Sequence, residues 1–320
     1  MRAEAPVYRN EKLDFYALSR FADIEAASRD TSTFSSAYGT VLEVMGPQMA
    51  GSNQIIFMDP PEHTMYRQLV SRAFTPRRMA MLDDYVREVC SELLDAQAGK
   101  PSFDFITDFA AQVPSRVISK LVGVPEIERE EQRNNIDEMF HFDPVQGMVN
   151  DVAFLARVRV YEYLLDLVTR HKADPESFGD DMIKVLIGAE ITNEDGSTRS
   201  LNDKELVEFS LLLFVAGTET VLRLLGNAVV VLAANSAQRA ELAADFSLIP
   251  NAIEELLRFE PPSPVNGRWT TRDVEVSGVR IPKDSKVLMI TGSAGRDEEA
   301  FGNPDQFDIH RDLRKHVTFG

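Results

Sequence analysis

Apolar residues recur at helical spacing along most of the chain. The 3.6-residue period predicts helices near residues 62–73, 79–98, 105–121, 126–140, 151–171, 202–234, 236–245 and 250–259. Strict alternation of apolar and polar positions is confined to two stretches, DFYALSR at residues 14–20 and VEVSGVRIPKDSKVLMIT at 274–291. Within the second, Ser277-Gly278 and Lys283-Asp284 are placed to turn hairpins. A sheet made from these segments must draw strands from both ends of the chain. The pattern therefore predicts a single domain over residues 1–320, mainly α with a small β-sheet (α+β). HKADPESFGDD (171–181) and NEDGSTRS (193–200) read as loops, and no internal repeat appears.

The helix at 202–234 is the unusual one. Asn202 is a good N-cap, Glu205 follows three residues later, and Leu201 can staple to Leu206. At 1.5 Å per residue it would run roughly 48 Å. Its middle, LLLFVAGTETVLRLLG (211–226), is apolar enough for a membrane span but is interrupted by Thr218, Glu219, Thr220 and Arg223, where charge is costly in hydrocarbon. A mid-helix glycine costs about 1 kcal/mol relative to alanine, and an unpaired buried carboxylate costs more. Ala216 and Gly217 remove side chains where a flat ligand could press on the backbone. Glu219 and Thr220, a carboxyl beside a hydroxyl, could serve proton transfer. The same stretch also fits a kinked helix with a solvated glutamate.

Composition narrows the classes. The 320 residues are 44% hydrophobic and 27% charged, as in globular proteins, and the net charge of −17 works against nucleic-acid binding. The opening MRAEAPVYRNEKLDF has neither the apolar core of a signal peptide nor a transit-peptide character, so a cytoplasmic protein is expected, with no membrane partner. The one cysteine, Cys90, is turned toward Val86, Val89 and Leu93 and reads as core packing.

Several short motifs are weak alone. In DPPEHTMYR, Asp59 reads as an N-cap before Pro60 and Glu62, and His63 and Arg67 share a helix face, which also suits a solvated surface. PNAIEELLRFEPP sets Glu255 and Arg258 three apart, an everyday ion-pair spacing, and FGNPDQFDIHRD places Arg311 where it could reach a buried carboxylate. Their order is more telling. A-G-T-E-T, E-L-L-R, P-P-S-P-V-N-G-R, F-G-N-P-D-Q-F-D-I-H-R and H-V-T-F-G together closely resemble the bacterial cytochrome P450 superfamily of haem-thiolate monooxygenases.

That resemblance implies a cytochrome P450 fold and haem b. It implies an oxygen and haem groove at Ala216 and Gly217, with Glu219 and Thr220 relaying protons to dioxygen. His63, Arg67, Arg268 and His316 match haem-propionate positions. Glu255, Arg258 and Arg311 match a structural triad, and Phe319 and Gly320 begin the haem-ligand loop. Leu212, Val215, Val265, Asn266 and the loop between Ser35 and Phe57 match a pocket for an apolar small-molecule substrate. Electrons would come from NAD(P)H through a reductase and a ferredoxin or flavodoxin-type carrier, for which Arg72, Arg77 and Arg78 offer a basic patch, and no G-x-G-x-x-G is present to bind the dinucleotide directly. One departure stands out. The family's cysteine ligand follows in F-G-x-G-x-H-x-C-x-G, of which only Phe319 and Gly320 are present, and Cys90 lies far away in sequence. The expectation is an inactive fragment of a monooxygenase, incomplete at the C-terminus and also at the N-terminus. The alternatives are a non-catalytic haem-binding or degenerate scaffold, a peroxide-dependent relative, and a helical interaction protein.

Overall fold

The alternating stretch at residues 14–20 forms a strand whose partner lies at the other end of the sequence. In chain order the elements are β1 (Val7–Asn10), β2 (Phe15–Leu18), α1 (Phe21–Arg29), β3 (Phe34–Ser35), α2 (Glu62–Ala73), α3 (Pro76–Asp95) and α4 (Gln112–Val122). Then come α5 (Arg129–Met139), α6 (Asp151–Ala173), α7 (Met182–Ile187), β4 (Glu190–Thr192), β5 (Thr198–Ser200), α8 (Asp203–Ala234), α9 (Ser236–Ala244) and α10 (Ile249–Phe259). The last are β6 (Asn266–Thr270), β7 (Val274–Val276), β8 (Val279–Ile281), β9 (Lys286–Met289) and α11 (Thr291–Ala294). The computed structural model describes residues 1–192, 196–313 and 315–319, and of residues 70, 72, 73, 76–78 and 81 the backbone alone. The fold is mainly α with a small sheet, as the periodicity predicts.

Two compact units divide the chain. The first gathers Met1–Ser52, Ile56–Asp59 and Arg223–Gly320; the second holds Asn53–Ile55 and Pro60–Leu222.

In the first unit a five-stranded sheet runs in the order β1-β2-β9-β6-β3. β2 and β9 pair in parallel, Phe15 opposite Lys286 and Leu18 opposite Met289, and the other pairings are antiparallel. Leu18, Ile24, Phe34, Val287 and Met289 form the core under this sheet, with α1 contributing Phe21, Ile24 and Ala27. The start of α1 is held by buried Asp297, whose Oδ2 accepts from Phe21 N at 2.7 Å. β7 and β8 form the hairpin expected at Ser277-Gly278, and both turn residues have positive φ, 47° and 78°. A second cluster, Val231, Ala252, Leu256, Phe307 and Ile309, joins the end of α8 to α10.

The second unit is helical apart from the β4–β5 hairpin. Helix α4 ends at Gly123, which adopts φ 103°; a Cβ there would lie 2.6 Å from the Asp181 carboxyl. Buried His171 bridges Leu167 O (Nδ1, 2.8 Å) and Asp181 Oδ2 (Nε2, 3.0 Å), fastening α6 to the N-cap of α7.

Four local expectations differ from the structure. Lys283-Asp284 turns no hairpin but links two sheets, because β8 pairs with β7 whereas β9 pairs with β2 and β6. The helix expected at 105–121 is a π-helical turn, Ile106–Ala110, followed by α4. Asp104 Oδ1 caps the turn by accepting from Ile106 N and Thr107 N, while Pro114 lacks the N–H that would join the two ladders. Thr198–Ser200, expected as loop, is strand β5, and residues 193–195 of that segment lie outside the described residues. Asp59 does not cap α2. Its carboxylate accepts from Ser35 Oγ and from Ser36 N (2.9 Å), pinning the chain that enters α2 to the edge of the sheet.

Candidate active site and cofactor anchors

Helix α8 starts with a reciprocal cap, Glu205 N to Asn202 Oδ1 at 3.0 Å and Asn202 N to Glu205 Oε2 at 2.8 Å. Buried Glu205 also takes both arms of Arg199 at 2.7 Å and the Tyr66 hydroxyl at 2.6 Å. Burial and the Glu205 carboxylate push the Tyr66 phenol up to about 12. Burial opposes ionisation of Glu205, but Arg199 and Tyr66 together outweigh it and hold the carboxyl below its ordinary range. By length and composition α8 could cross a membrane, yet its midpoint carries Thr218, Glu219, Thr220 and Arg223.

At that midpoint Ala216 and Thr220 are exposed one turn apart on the same face, and the Thr220 hydroxyl donates to Ala216 O at 3.0 Å. Thr218 is buried and donates to Val215 O at 3.0 Å. Leu212, Val215 and Glu219 are half-buried. Gly217 points elsewhere: a Cβ there would lie 2.7 Å from Cδ1 and Cγ1 of Ile118 on α4. Close helix packing therefore favours this glycine, and the open surface of the turn belongs to Ala216 and Thr220. Glu219 is near a second acid, Asp137 of α5. Burial pushes the Asp137 carboxyl up, the Arg133 cation at 2.8 Å opposes that rise, and the Glu219 charge adds to it.

His63 and Arg67 lie in the second unit, one turn apart on α2, His63 half-buried and Arg67 exposed. Arg72, Arg77 and Arg78 follow in positions whose side chains lie outside the described residues. Cys90 is half-buried against Tyr85, Val89, Leu93, Phe109 and Val113, and burial pushes its thiol up.

The remaining candidates belong to the first unit. Arg268 on β6 is half-buried, and its hydrogen bond goes to the neutral carbonyl of Gly267 at 2.8 Å. Burial lowers its guanidinium pKa, and the Asp59 charge offsets part of that. Gly267 is required by packing, because a Cβ there would meet Thr40 O at 2.9 Å. Val265 is 40% exposed, and Asn266 opens β6.

His316 hydrogen-bonds through Nε2 to Glu254 Oε2 at 2.8 Å while Nδ1 accepts from Thr318 N at 3.3 Å. With Nδ1 accepting, Nε2 is the nitrogen that donates to Glu254. Phe319 is exposed with its ring tilted against His316, and Gly320 lies outside the described residues. Glu255, Arg258 and Arg311 meet: Arg258 bonds both carboxylate oxygens at 2.7 Å, and Arg311 Nε reaches Oε1 at 3.1 Å.

Ile118, Asp137 and Glu254 had no signal in the sequence pattern, and Asp59 was read there only as a helix cap. Each matters through a partner distant in sequence, except for the ordinary spacing of Asp137 from Arg133.

The Cytochrome P450 family profile matches residues 14–319. A putative cytochrome P450 123 of Mycobacterium bovis is 35% identical over 323 residues, covering 100% of this chain and 78% of that relative. Cyclomarin C epoxidase CymV of Salinispora arenicola is 36% identical over 326 residues, covering 100% and 80%. Among solved structures, cytochrome P450 CYP109Q5 from Chondromyces apiculatus superimposes with a TM-score of 0.87 at 33% identity, covering 100% of this chain and 79% of that one. A mutant of P450 EryK in complex with erythromycin B gives 0.87 at 34% identity, covering 100% and 80%. A match across nearly the whole chain, at these identities and on this fold, makes the chain a member of the cytochrome P450 family.

Proposed function

We propose that this chain carries the distal groove and the cofactor anchors of a haem-thiolate monooxygenase that oxidises an apolar small molecule. The observation that carries this reading is the exposed Ala216–Thr220 face, with a hydroxyl turned back on the side-chain-poor Ala216 and a carboxyl, Glu219, at the preceding residue. The family match over residues 14–319, which spans both units, supports treating the chain as one catalytic domain.

The residues present fit haem in part. Arg268, a largely desolvated cation hydrogen-bonded to a neutral carbonyl, suits a carboxylate of the porphyrin edge. The resemblance assigns His63, Arg67 and His316 to haem propionates as well, and Phe319 and Gly320 to the approach to the iron. Haem b, when bound, supplies the redox centre at which dioxygen is activated. Cys90 does not fit the iron: its thiol sits in an apolar cluster and is held protonated by burial. No step is therefore assigned to it.

The chain's own residues supply proton management and exclusion of water. The Thr220 hydroxyl holds a proton at Oγ1 beside the groove. Glu219, next in line, replenishes it. The resemblance assigns Leu212 and Val215, and likewise Val265 and Asn266, to substrate contacts, apolar for the most part with one amide. Electrons come from NAD(P)H through a reductase and a ferredoxin or flavodoxin-type carrier in the cytoplasm. A cyclomarin C epoxidase among the relatives and an erythromycin B complex among the structures support a small-molecule substrate.

A second reading is a haem-binding scaffold without turnover. The carbon monoxide difference spectrum of the reduced protein, expressed from its whole reading frame, separates the two. A strongly red-shifted Soret band supports the monooxygenase. Haem held by nitrogen or oxygen supports the scaffold, and absence of haem uptake defeats both.

A further inference from the structure

We propose that Ile118 of α4 is a positioning residue for the Ala216–Thr220 face, a clamp on a turn of α8 that is weak by itself. The inference rests on the reading of that face as the proton-delivering one.

The weakness is visible in the hydrogen bonds. Thr218 and Thr220 turn their hydroxyls back on the carbonyls of Val215 and Ala216, each at 3.0 Å. Such back-bonding competes with the helical N–H donors and bends helices. Gly217, between them, contributes no side-chain packing and the largest backbone entropy of any residue. Three of five consecutive residues thus loosen one turn at the middle of a long helix.

Ile118 lies against that turn. Its Cδ1 and Cγ1 are 2.7 Å, and its Cβ 3.2 Å, from the place where a Cβ on Gly217 would sit. The side chain is buried, and β-branching leaves it stiff within α4. α4 itself packs on α3, Val113 against Val89 and Leu93, and closes on the left-handed Gly123 at its end. A rigid wedge on an anchored helix sets where the Gly217 backbone can lie. Gly217 is bonded in sequence to Ala216 and is three residues from Thr220, so the wedge sets the aim of the Thr220 hydroxyl.

Hydrogen exchange on the chain tests the clamp without cofactor. Ile118→Ala should speed exchange of amides 217–222 by about tenfold relative to the rest of α8, and Ile118→Val by less. Val122→Ala, which empties a buried site one turn further along α4, should not single out that turn. Equal effects of Ile118→Ala and Val122→Ala on amides 217–222 would overturn the clamp. A pair of substitutions gives a second reading: Gly217→Ala with Ile118→Ala should be more stable than Gly217→Ala alone, and strict additivity also overturns it. In the haem-loaded protein from the whole reading frame, Ile118→Ala should raise the fraction of electrons lost to peroxide, whereas unchanged coupling with an opened turn overturns the positioning role. If the turn opens as expected but wild type forms no oxygenated product from any ligand, the monooxygenase reading fails and the clamp stands.

Discussion

Arg258 lays two nitrogens on the two oxygens of Glu255, one turn back on α10, each at 2.7 Å, and neither side chain is exposed to water. The pair is fully served, because Arg258 also donates to the carbonyls of Gly295, Pro304 and Gln306, and Glu255 Oε1 accepts from Asp308 N and Arg311. Removing one charge strands the other. Glu255→Gln should cost about 3–5 kcal/mol, read as a lower urea midpoint at unchanged slope. Arg311→Lys, at the more exposed corner, should cost less.

Tyr66 and Glu205 make opposite pH demands. The phenol, raised from 10 to about 12 by burial and by Glu205, contributes stability that is complete below 10 and lost as pH climbs through 12. Glu205, held below its ordinary 4.5, contributes stability present above that value and lost as pH falls through its lowered one. Tyrosinate absorbance should show one late-titrating tyrosine from this site. Tyr66→Phe should remove it, and Glu205→Gln should bring it closer to 10.

Arg268, proposed as a haem-propionate anchor, separates a ligand-binding role from a structural one. Arg268→Met should leave urea stability unchanged or slightly higher without haem, since it removes a desolvated cation hydrogen-bonded to a neutral carbonyl. The same change should speed haem loss, measured by transfer to an apoprotein acceptor. Equal losses in both assays would mean that the guanidinium serves the fold.

Thr220→Ala should leave the helix intact, because the lost hydroxyl bond is a local one to Ala216 O. It should instead divert electrons to peroxide, read as the ratio of product to NAD(P)H consumed. An unchanged ratio would remove Thr220 from proton delivery.

What could be read from the sequence was mostly local. The Asn202–Glu205 cap and the Ser277-Gly278 turn follow from a few adjacent residues, and both form as expected. The period located α8 and α10 to within a residue. α1 was missed because its nine residues are too few for a clear period, and it is held by Asp297, 276 positions away. The glycine of A-G-T-E-T was visible, but its neighbour Ile118 was not, because helix packing places it there and no spacing reports it. Asp59 had the right residue type for a cap and found stronger donors in Ser35 and Ser36.

The parallel pairing of β2 with β9 has a consequence for biogenesis. Phe15 leaves the ribosome roughly 270 residues before Lys286, its cross-strand neighbour, a wait on the order of tens of seconds at ordinary elongation rates. Throughout that interval the β1–β2 hairpin has an unpaired edge, a template for mispairing with other nascent chains. Synthesis stalled before Lys286 should therefore yield aggregates seeded by the amino-terminal hairpin, which ribosome-bound chains of graded length would reveal.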